Sequence, residues 1–272
     1  MDLGKYLNSK DDLNKLKRFA FLGDRSSFDK KLNYLTQLAE PENWFFTNQS
    51  GEQLSVIFYY VVHTFDRCFY QEKIEILPDE TMACFNTGLM TQQGEEIFGM
   101  FTKSNTHNPT NPSSNYWYLS EFLKESDRKF IRTGLNKPQM ATYFTNYNEL
   151  YFDPTKEISL SFDHIYDDNY DRLPRDFKLL EKNVAIQVFK GFLEHTIKRI
   201  KRNNRIPVPQ FYREKVMFLI PVQTFQNDLI VIALEKVEGK YIANTILTIE
   251  MAYNCARLLN KPESNWLLPK SK

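Results

Sequence analysis

Residues 52–71 place Leu54, Ile57, Phe58, Val61, Val62, Phe65, Cys68 and Phe69 at the spacing that gathers them on one face of an α-helix. A helix with so wide an apolar face has to cover another layer. The chain supplies one at once: residues 73–77, 81–89 and 95–103 read as strands, with Pro78-Asp79-Glu80 and Thr91 to Gly94 as their turns. A helix laid on an antiparallel meander points to an α+β fold.

The remaining segments extend that reading. Residues 17–23 read as a short strand, and 28–39 as a helix built on Leu32, Leu35 and Leu38 that stops before Pro41. Residues 104–115, SNTHNPTNPSSN, hold almost nothing to bury and read as a surface loop. Asp153-Pro154 has the form of a helix start, with Asp capping free amides and Pro losing no amide at the first position. That predicts a helix running to about Asn169. Pro174 marks a boundary before a helix over roughly 178–202. After Pro207 and Pro209 come strands over 215–223, 228–236 and 240–247, and Thr248 caps a last helix over 249–260. No internal repeat and no Gly/Ser-rich linker interrupts the chain. The expected architecture is a single α+β domain over 17–268 after an N-terminal extension, 1–16. Antiparallel sheets are packed by several helices, and a polar cleft lies between sublobes 17–174 and 175–268.

Composition bounds function. Hydrophobic residues at 42% and charged residues at 25% suit a packed chain and exclude a disordered one. A net charge of +1 removes any whole-chain argument for nucleic acid, so a basic surface must be local. Cys68, Cys84 and Cys255 stand far apart without a C-x-x-C pair, which fits buried thiols in a reducing compartment. The start of the chain has no apolar signal segment, and the longest apolar runs, Val216 to Val222 and Leu229 to Leu234, are too short for a membrane span. A cytoplasmic protein without a membrane partner is expected. Phosphate-cradling glycine motifs, the G-x-S-x-G elbow, H-E-x-x-H and Cys/His zinc spacings are all missing.

Five constellations could carry chemistry, each with a plainer alternative. His63 and Arg67 sit four apart on the polar side of the 52–71 helix, flanked by Tyr59 and Tyr70 and followed by Lys73. They could hold a phosphate and move a proton, or form a solvated face. In Phe85-Asn86-Thr87-Gly88-Leu89, Asn86 and Thr87 offer donors and acceptors beside a bare glycine, and a β-bulge would use the same residues. Glu157, Ser161, His164 and Asp168 form a stripe on the expected 154–169 helix, with Asn169 and Arg172 following. A carboxylate there could raise the basicity of His164, or the stripe is a helix side laced with ion pairs. Asp163, Asp167, Asp168 and Asp171 could draw a divalent ion but lack a ligand spacing. Glu250, Asn254 and Arg257 line the last helix opposite Met251, Cys255, Leu258 and Leu259, and suit either phosphate recognition or an internal pair. Finally Lys198, Arg199, Lys201, Arg202 and Arg205 put five cations within eight residues. A helix C-terminus accounts for one or two of them; five suit a nucleic-acid track.

Taken together, several segments resemble the bacterial family known as domain of unknown function 3825. They are Trp44-Phe45-Phe46, His63 to Arg67 with Lys73-Ile74, FNTGL at 85–89, Glu96 to Phe101, YFD at 151–153, His164-Ile165, NYDRLP at 169–174, and TILTIEMAYNCARLL at 245–259 with Trp266-Leu267. The resemblance spans about 17–268. Members of that family often accompany cold-shock or other RNA-binding modules, which implies an RNA-related role, although residues 1–272 leave no room for such a module. The resemblance transfers no catalytic role.

The expectation is therefore a cleft in which His63, Arg67, Lys73, Asn86, Thr87, His164, Asn169, Arg172, Asn254 and Arg257 converge on an RNA end or a nucleotide phosphate. His63 or His164 would be the acid/base of any processing step, and residues 198–205 the outer RNA track. A non-catalytic RNA-binding module, with Tyr212 or Tyr116 exposed for base stacking, and a protein-interaction component are the alternatives. No cofactor is identified.

Overall fold

In the computed structural model, which describes residues 2–10, 14–47, 53–160, 162–225 and 228–268, the amphipathic segment forms α3 (Val56–Tyr70). Ser55 caps it, its Oγ accepting the Phe58 amide at 3.3 Å. Of the face expected to be apolar, Ile57, Val61, Val62, Phe65 and Cys68 are buried and Phe58 and Phe69 half-buried, while Leu54 falls in a strand before the helix. Contacts divide the chain into two compact units, Met1–Thr142 and Tyr143–Lys272. The sublobe boundary expected near 174–180 falls within the second.

In the first unit α1 (Lys15–Phe19), β1 (Ala20–Phe21) and α2 (Arg25–Leu38) lead to a small hairpin, β2 (Phe45–Thr47) and β3 (Gln53–Ser55), and then to α3. The meander follows as β4 (Ile74–Ile76), β5 (Met82–Met90), β6 (Glu96–Lys103) and β7 (Trp117–Lys124), and α4 (Arg128–Thr133) closes the series. The sheet order is β1-β7-β6-β5-β4, antiparallel throughout except for β1, which adds parallel to β7. Residues 17–23 are thus a correction. Asn14 accepts the Lys17 amide at 3.3 Å and starts a helical turn, leaving only Ala20 and Phe21 for the sheet. Leu3 and Tyr6, in the first residues of the chain, are buried as well.

Aromatic rings hold the first unit together. Phe65 of α3 meets Phe85 at 5.2 Å, Phe101 at 5.6 Å and Phe19 at 5.1 Å, and each of the four is fully buried. Such pairs add roughly 0.5–1.5 kcal/mol each beyond their buried area. Phe85 stands opposite Gly99 across the β5–β6 ladder, and a Cβ at position 99 would lie 2.2 Å from the Phe85 ring. The glycine is there for the ring's sake.

The second unit runs β8 (Ile158–Leu160), α5 (Phe162–Asp168), α6 (Arg175–Lys178), α7 (Lys182–Ile200), β9 (Val208–Tyr212), β10 (Lys215–Gln223), β11 (Leu229–Val237), β12 (Lys240–Leu247) and α8 (Ile249–Arg257). Its sheet order is β8-β12-β11-β10-β9, with β8 adding parallel to β12. This is the topology of the first unit again: an early strand joins, in parallel, the last strand of a four-stranded meander that follows a long helix. Phe218, Ile220, Ile230, Ile232 and Tyr241 from the sheet pack with Phe177, Phe189 and Leu193 from α6 and α7. The intervening Leu219, Val231 and Ala233 are buried too, which is why β10 and β11 read as continuous apolar runs.

One expectation fails here. The helix over 154–169 is replaced by a turn, β8 and the short α5. Asp153 Oδ1 accepts from the Thr155 amide at 3.0 Å and its hydroxyl at 2.6 Å, closing a local turn where a helix cap was expected. The Tyr241 amide then bonds Glu157 O at 2.8 Å and draws 158–160 into the sheet. Residues 208–212, given no element in the sequence reading, form the edge strand β9, where Pro209 is tolerated because an edge has a free side. The α+β class stands, with mixed sheets of which one curls into a half-barrel. No helix among the described residues is long and apolar enough to cross a membrane.

Gly99→Ala should lower stability by about 1–3 kcal/mol through overpacking against Phe85. A urea unfolding series would show this as a reduced midpoint at unchanged slope; an unaltered midpoint would mean the ring has room to move.

Candidate functional site

In the first unit Arg67, Lys73, Asn86 and Thr87 are held by internal partners. His63 keeps an open surface on α3, yet the crowding around its ring holds its pKa below the ordinary value by desolvation. Arg67 Nε donates to Thr142 O at 2.9 Å, and Lys73 Nζ to Met140 O at 2.9 Å and Thr142 Oγ1 at 2.6 Å. Asn86 is buried, its Nδ2 donating to Glu96 Oε1 at 3.0 Å and Pro138 O at 3.1 Å while its Oδ1 accepts the Gly88 amide. Thr87 donates to Ile97 O at 2.7 Å. The β5–β6 register shifts between Asn86 and Met90, and Gly88 has a φ of 70°, so FNTGL is an irregular bulge whose polar groups are satisfied within the fold. Arg67, Lys73 and Asn86 share one task, holding residues 136–142. Gln71 belongs with them and was not nominated: its amide donates to Thr142 O at 2.6 Å and accepts the Thr142 amide at 2.8 Å.

In the second unit the stripe through Glu157, Ser161, His164 and Asp168 is broken, because Glu157 precedes a strand and only 162–168 is helical. Ser161 and the His164 and Asp163 side chains lie outside the described residues. Asn169 is buried and forms a knot. Its Nδ2 donates to Ile165 O at 3.1 Å, and its Oδ1 accepts from Arg172 at 2.9 Å and from Thr245 Oγ1 at 2.8 Å. Arg172 also reaches Ile246 O at 2.8 Å, so this pair ties the chain after α5 to β12. On α8 the buried set is Ala252, Tyr253, Ala256 and Arg257, whereas Met251 is exposed. The expected division of that helix into a Met251/Cys255 apolar side and an Asn254/Arg257 polar side is therefore corrected. Small alanines allow close approach to β9, and Arg257 rides on the inner face. Asn254 keeps a buried Oδ1 without a partner among the described residues.

The basic run is different in kind. Lys198 and Arg199 close α7, Lys201 caps it, and Arg202 and Arg205 follow in the turn; all five are exposed. None makes an ion pair with a described residue. Arg199 bonds the neutral Gln223 Oε1 at 3.0 Å, and Arg202 the Lys198 carbonyl at 2.7 Å. The turn itself is fixed: Asn203 Oδ1 accepts the Arg205 amide, and Ser264 and Trp266 donate to the carbonyls of Arg205 and Ile206. Tyr212, at the far end of β9, is exposed with the Arg213 guanidinium 5.3 Å from its ring, while the Tyr116 hydroxyl is tied to Glu80. Among the described residues no group of three His, Cys, Asp or Glu could hold a metal ion. A cleft of about 520 Å³ in the first unit, lined in part by Gln37, Asn43, Phe45, Gln92 and Gln93, contains no nominated residue.

These features define a two-unit α+β protein with internally bonded polar clusters and a basic surface at 198–205 that makes no ion pair with the described residues. The chain belongs to the family described as Domain of unknown function (DUF3825), whose model matches residues 35–266. No curated protein and no solved structure matches it.

Asn169→Ala should destabilise the protein by about 1–3 kcal/mol, since it strips partners from Arg172 and Thr245. Thermal or urea unfolding would reveal the loss. His63 should titrate below 6.5 when followed by NMR. Its folded-state value lies below the unfolded one, so stability falls as pH drops through 6.5, and His63→Gln should flatten that part of the profile.

Proposed function

We propose that the protein binds RNA through the surface of residues 198–205. The supporting observation is the set of five exposed cations with no carboxylate partner among the described residues, at the end of α7 and on the turn that follows it. A helix C-terminus favours a cation or two. Five like charges within eight residues repel one another, and the stretch contains no acidic residue to offset them. A polyanion supplies what the chain omits. Each phosphate neutralised releases condensed counterions, so the affinity would be electrostatic and salt-sensitive, with little dependence on sequence. Tyr212, the last residue of β9 on the same unit, offers an exposed ring for a base to stack on.

The 198–205 surface acts as a binding element. The family's unknown function neither adds to nor subtracts from it.

Replacing Lys198, Arg199, Lys201 and Arg202 with Gln should weaken binding to a fluorescent single-stranded RNA and reduce the slope of log K against log salt. Four lost contacts at about 0.7 each for a single strand would lower it by roughly 3. A slope identical to that of the parent protein would remove the RNA-track reading.

A further inference from the structure

The long helix of the second unit, α7, carries a glycine at its midpoint: Gly191 stands nine residues from each end. Only proline is less favourable in a helix interior, because glycine gives up the most backbone freedom there. The usual reasons for such a residue are missing. Gly191 is too far from the helix end to cap it, and its φ is not positive. The helix runs through it unbroken. Gly191 is exposed, and a Cβ built there meets no atom of a described residue within 4 Å, so no neighbouring element needs the space. Gly99, by contrast, is required by the Phe85 ring.

What surrounds Gly191 on the solvent side is positive charge. Residues 190–205 carry six cations, the five of the basic run and Lys190, against the single carboxylate of Glu194. All of these side chains are exposed. Positions 191, 198 and 202 stand at i, i+7 and i+11, which a period of 3.6 residues puts in one line. Arg202 follows the last helical residues, and its bond to the Lys198 carbonyl at 2.7 Å holds it against that line. Lys190 and Lys201, eleven positions apart, run along one side of the line. Arg199, bonded to Gln223, borders the other. The bare position therefore lies about 10 Å up the helix from Lys198, in a lane edged by cations.

We propose that the RNA strand bound at 198–205 continues along the solvent face of α7 to its midpoint, with its sugar-phosphate backbone seated against Gly191. This footprint rests on the reading of 198–205 as an RNA surface and extends it. A side chain at 191 would hold the strand off the helix. A bare Cα lets a ribose or a phosphate come into van der Waals contact with the main chain, while the flanking cations neutralise the phosphates on either side. Six cations against one carboxylate select a polyanion, and not an apolar helix, as the occupant of this face.

The experiment measures fluorescence anisotropy of a labelled oligouridine with the full chain, beside thermal unfolding of the same samples. Gly191→Ala should raise the melting temperature by about 2 °C, because alanine is the better helix former, and still weaken RNA binding about threefold. Gly191→Gln, longer and uncharged, should weaken binding about tenfold with the salt slope retained, because no cation is lost. Glu194→Gln removes the one negative charge beside the path and should tighten binding about twofold. A gain in stability coupled to a loss of affinity is an outcome that a merely structural glycine does not give. The proposal fails if Gly191→Gln binds as tightly as the parent, if Gly191→Ala lowers the melting temperature, or if Gly191→Gln splits a dimer in sedimentation while RNA affinity holds. The fourfold Gln variant of the basic run separates the two readings. If that variant loses slope and the Gly191 variants bind normally, the path along α7 is overturned alone; if its slope is unchanged, the RNA surface and the path fall together.

Discussion

Phe85 occupies space that any side chain at position 99 would claim. Because residue 99 is glycine, the ring lies against the neighbouring strand and still meets Phe65 from α3 and Phe101 from β6. That one accommodation sets the distance between helix and sheet. With it fixed, Phe19 and Trp117 stack at 6.0 Å beside the same cluster, and β1 finds its place along β7. The first unit is therefore organised around a ring and the absence of a Cβ. Its polar residues fill in afterwards, each bonded to whatever backbone the packed layers leave open.

The two units reach one topology with different chemistry. In each, a long helix precedes a four-stranded meander, an early strand adds parallel to the last, and a short helix leads into an extended tail. In the first unit the body donates to the tail's carbonyls, so Arg67 and Lys73 are engaged. In the second the tail donates to the body, through Ser264 and Trp266, and the cations at the corresponding helix end are left facing solvent. The same architecture thus engages the cations at or after the end of the long helix with main-chain carbonyls in one half and leaves them exposed in the other.

Much of this was legible in the sequence where periodicity and local turn chemistry agree. The apolar face of α3, the meander of β4 to β6, the Thr248 cap and β10 to β12 of the second sheet follow from spacing and local residue chemistry. The misreadings arise where distant contacts override local signals. Asp153 and Pro154 look like a helix start, but Tyr241, nearly ninety positions away, pairs with Glu157 and makes a strand. The family resemblance, carried by short motifs such as FNTGL and NYDRLP, was correct; those motifs mark a bulge and the Asn169–Arg172 knot. Donor types could be read at Arg67, Lys73 and Asn86, but their acceptors could not. Main-chain carbonyls have no sequence signature, and Gln71 had none either. The repeated topology was hidden because strand order depends on which edges meet, and no residue pattern in the two halves records that.

The parallel closure at each sheet edge bears on how the protein is made. Ala20 pairs beside Trp117, so about a hundred residues must be synthesised before β1 has a neighbour. At ~5–20 residues per second on a ribosome, the nascent chain carries an unmated strand for roughly 5–20 s. Ile158 waits in the same way for Tyr241. Both halves therefore complete their sheets only when the last meander strand is made, and β1 and β8 are the strands that wait longest for a neighbour.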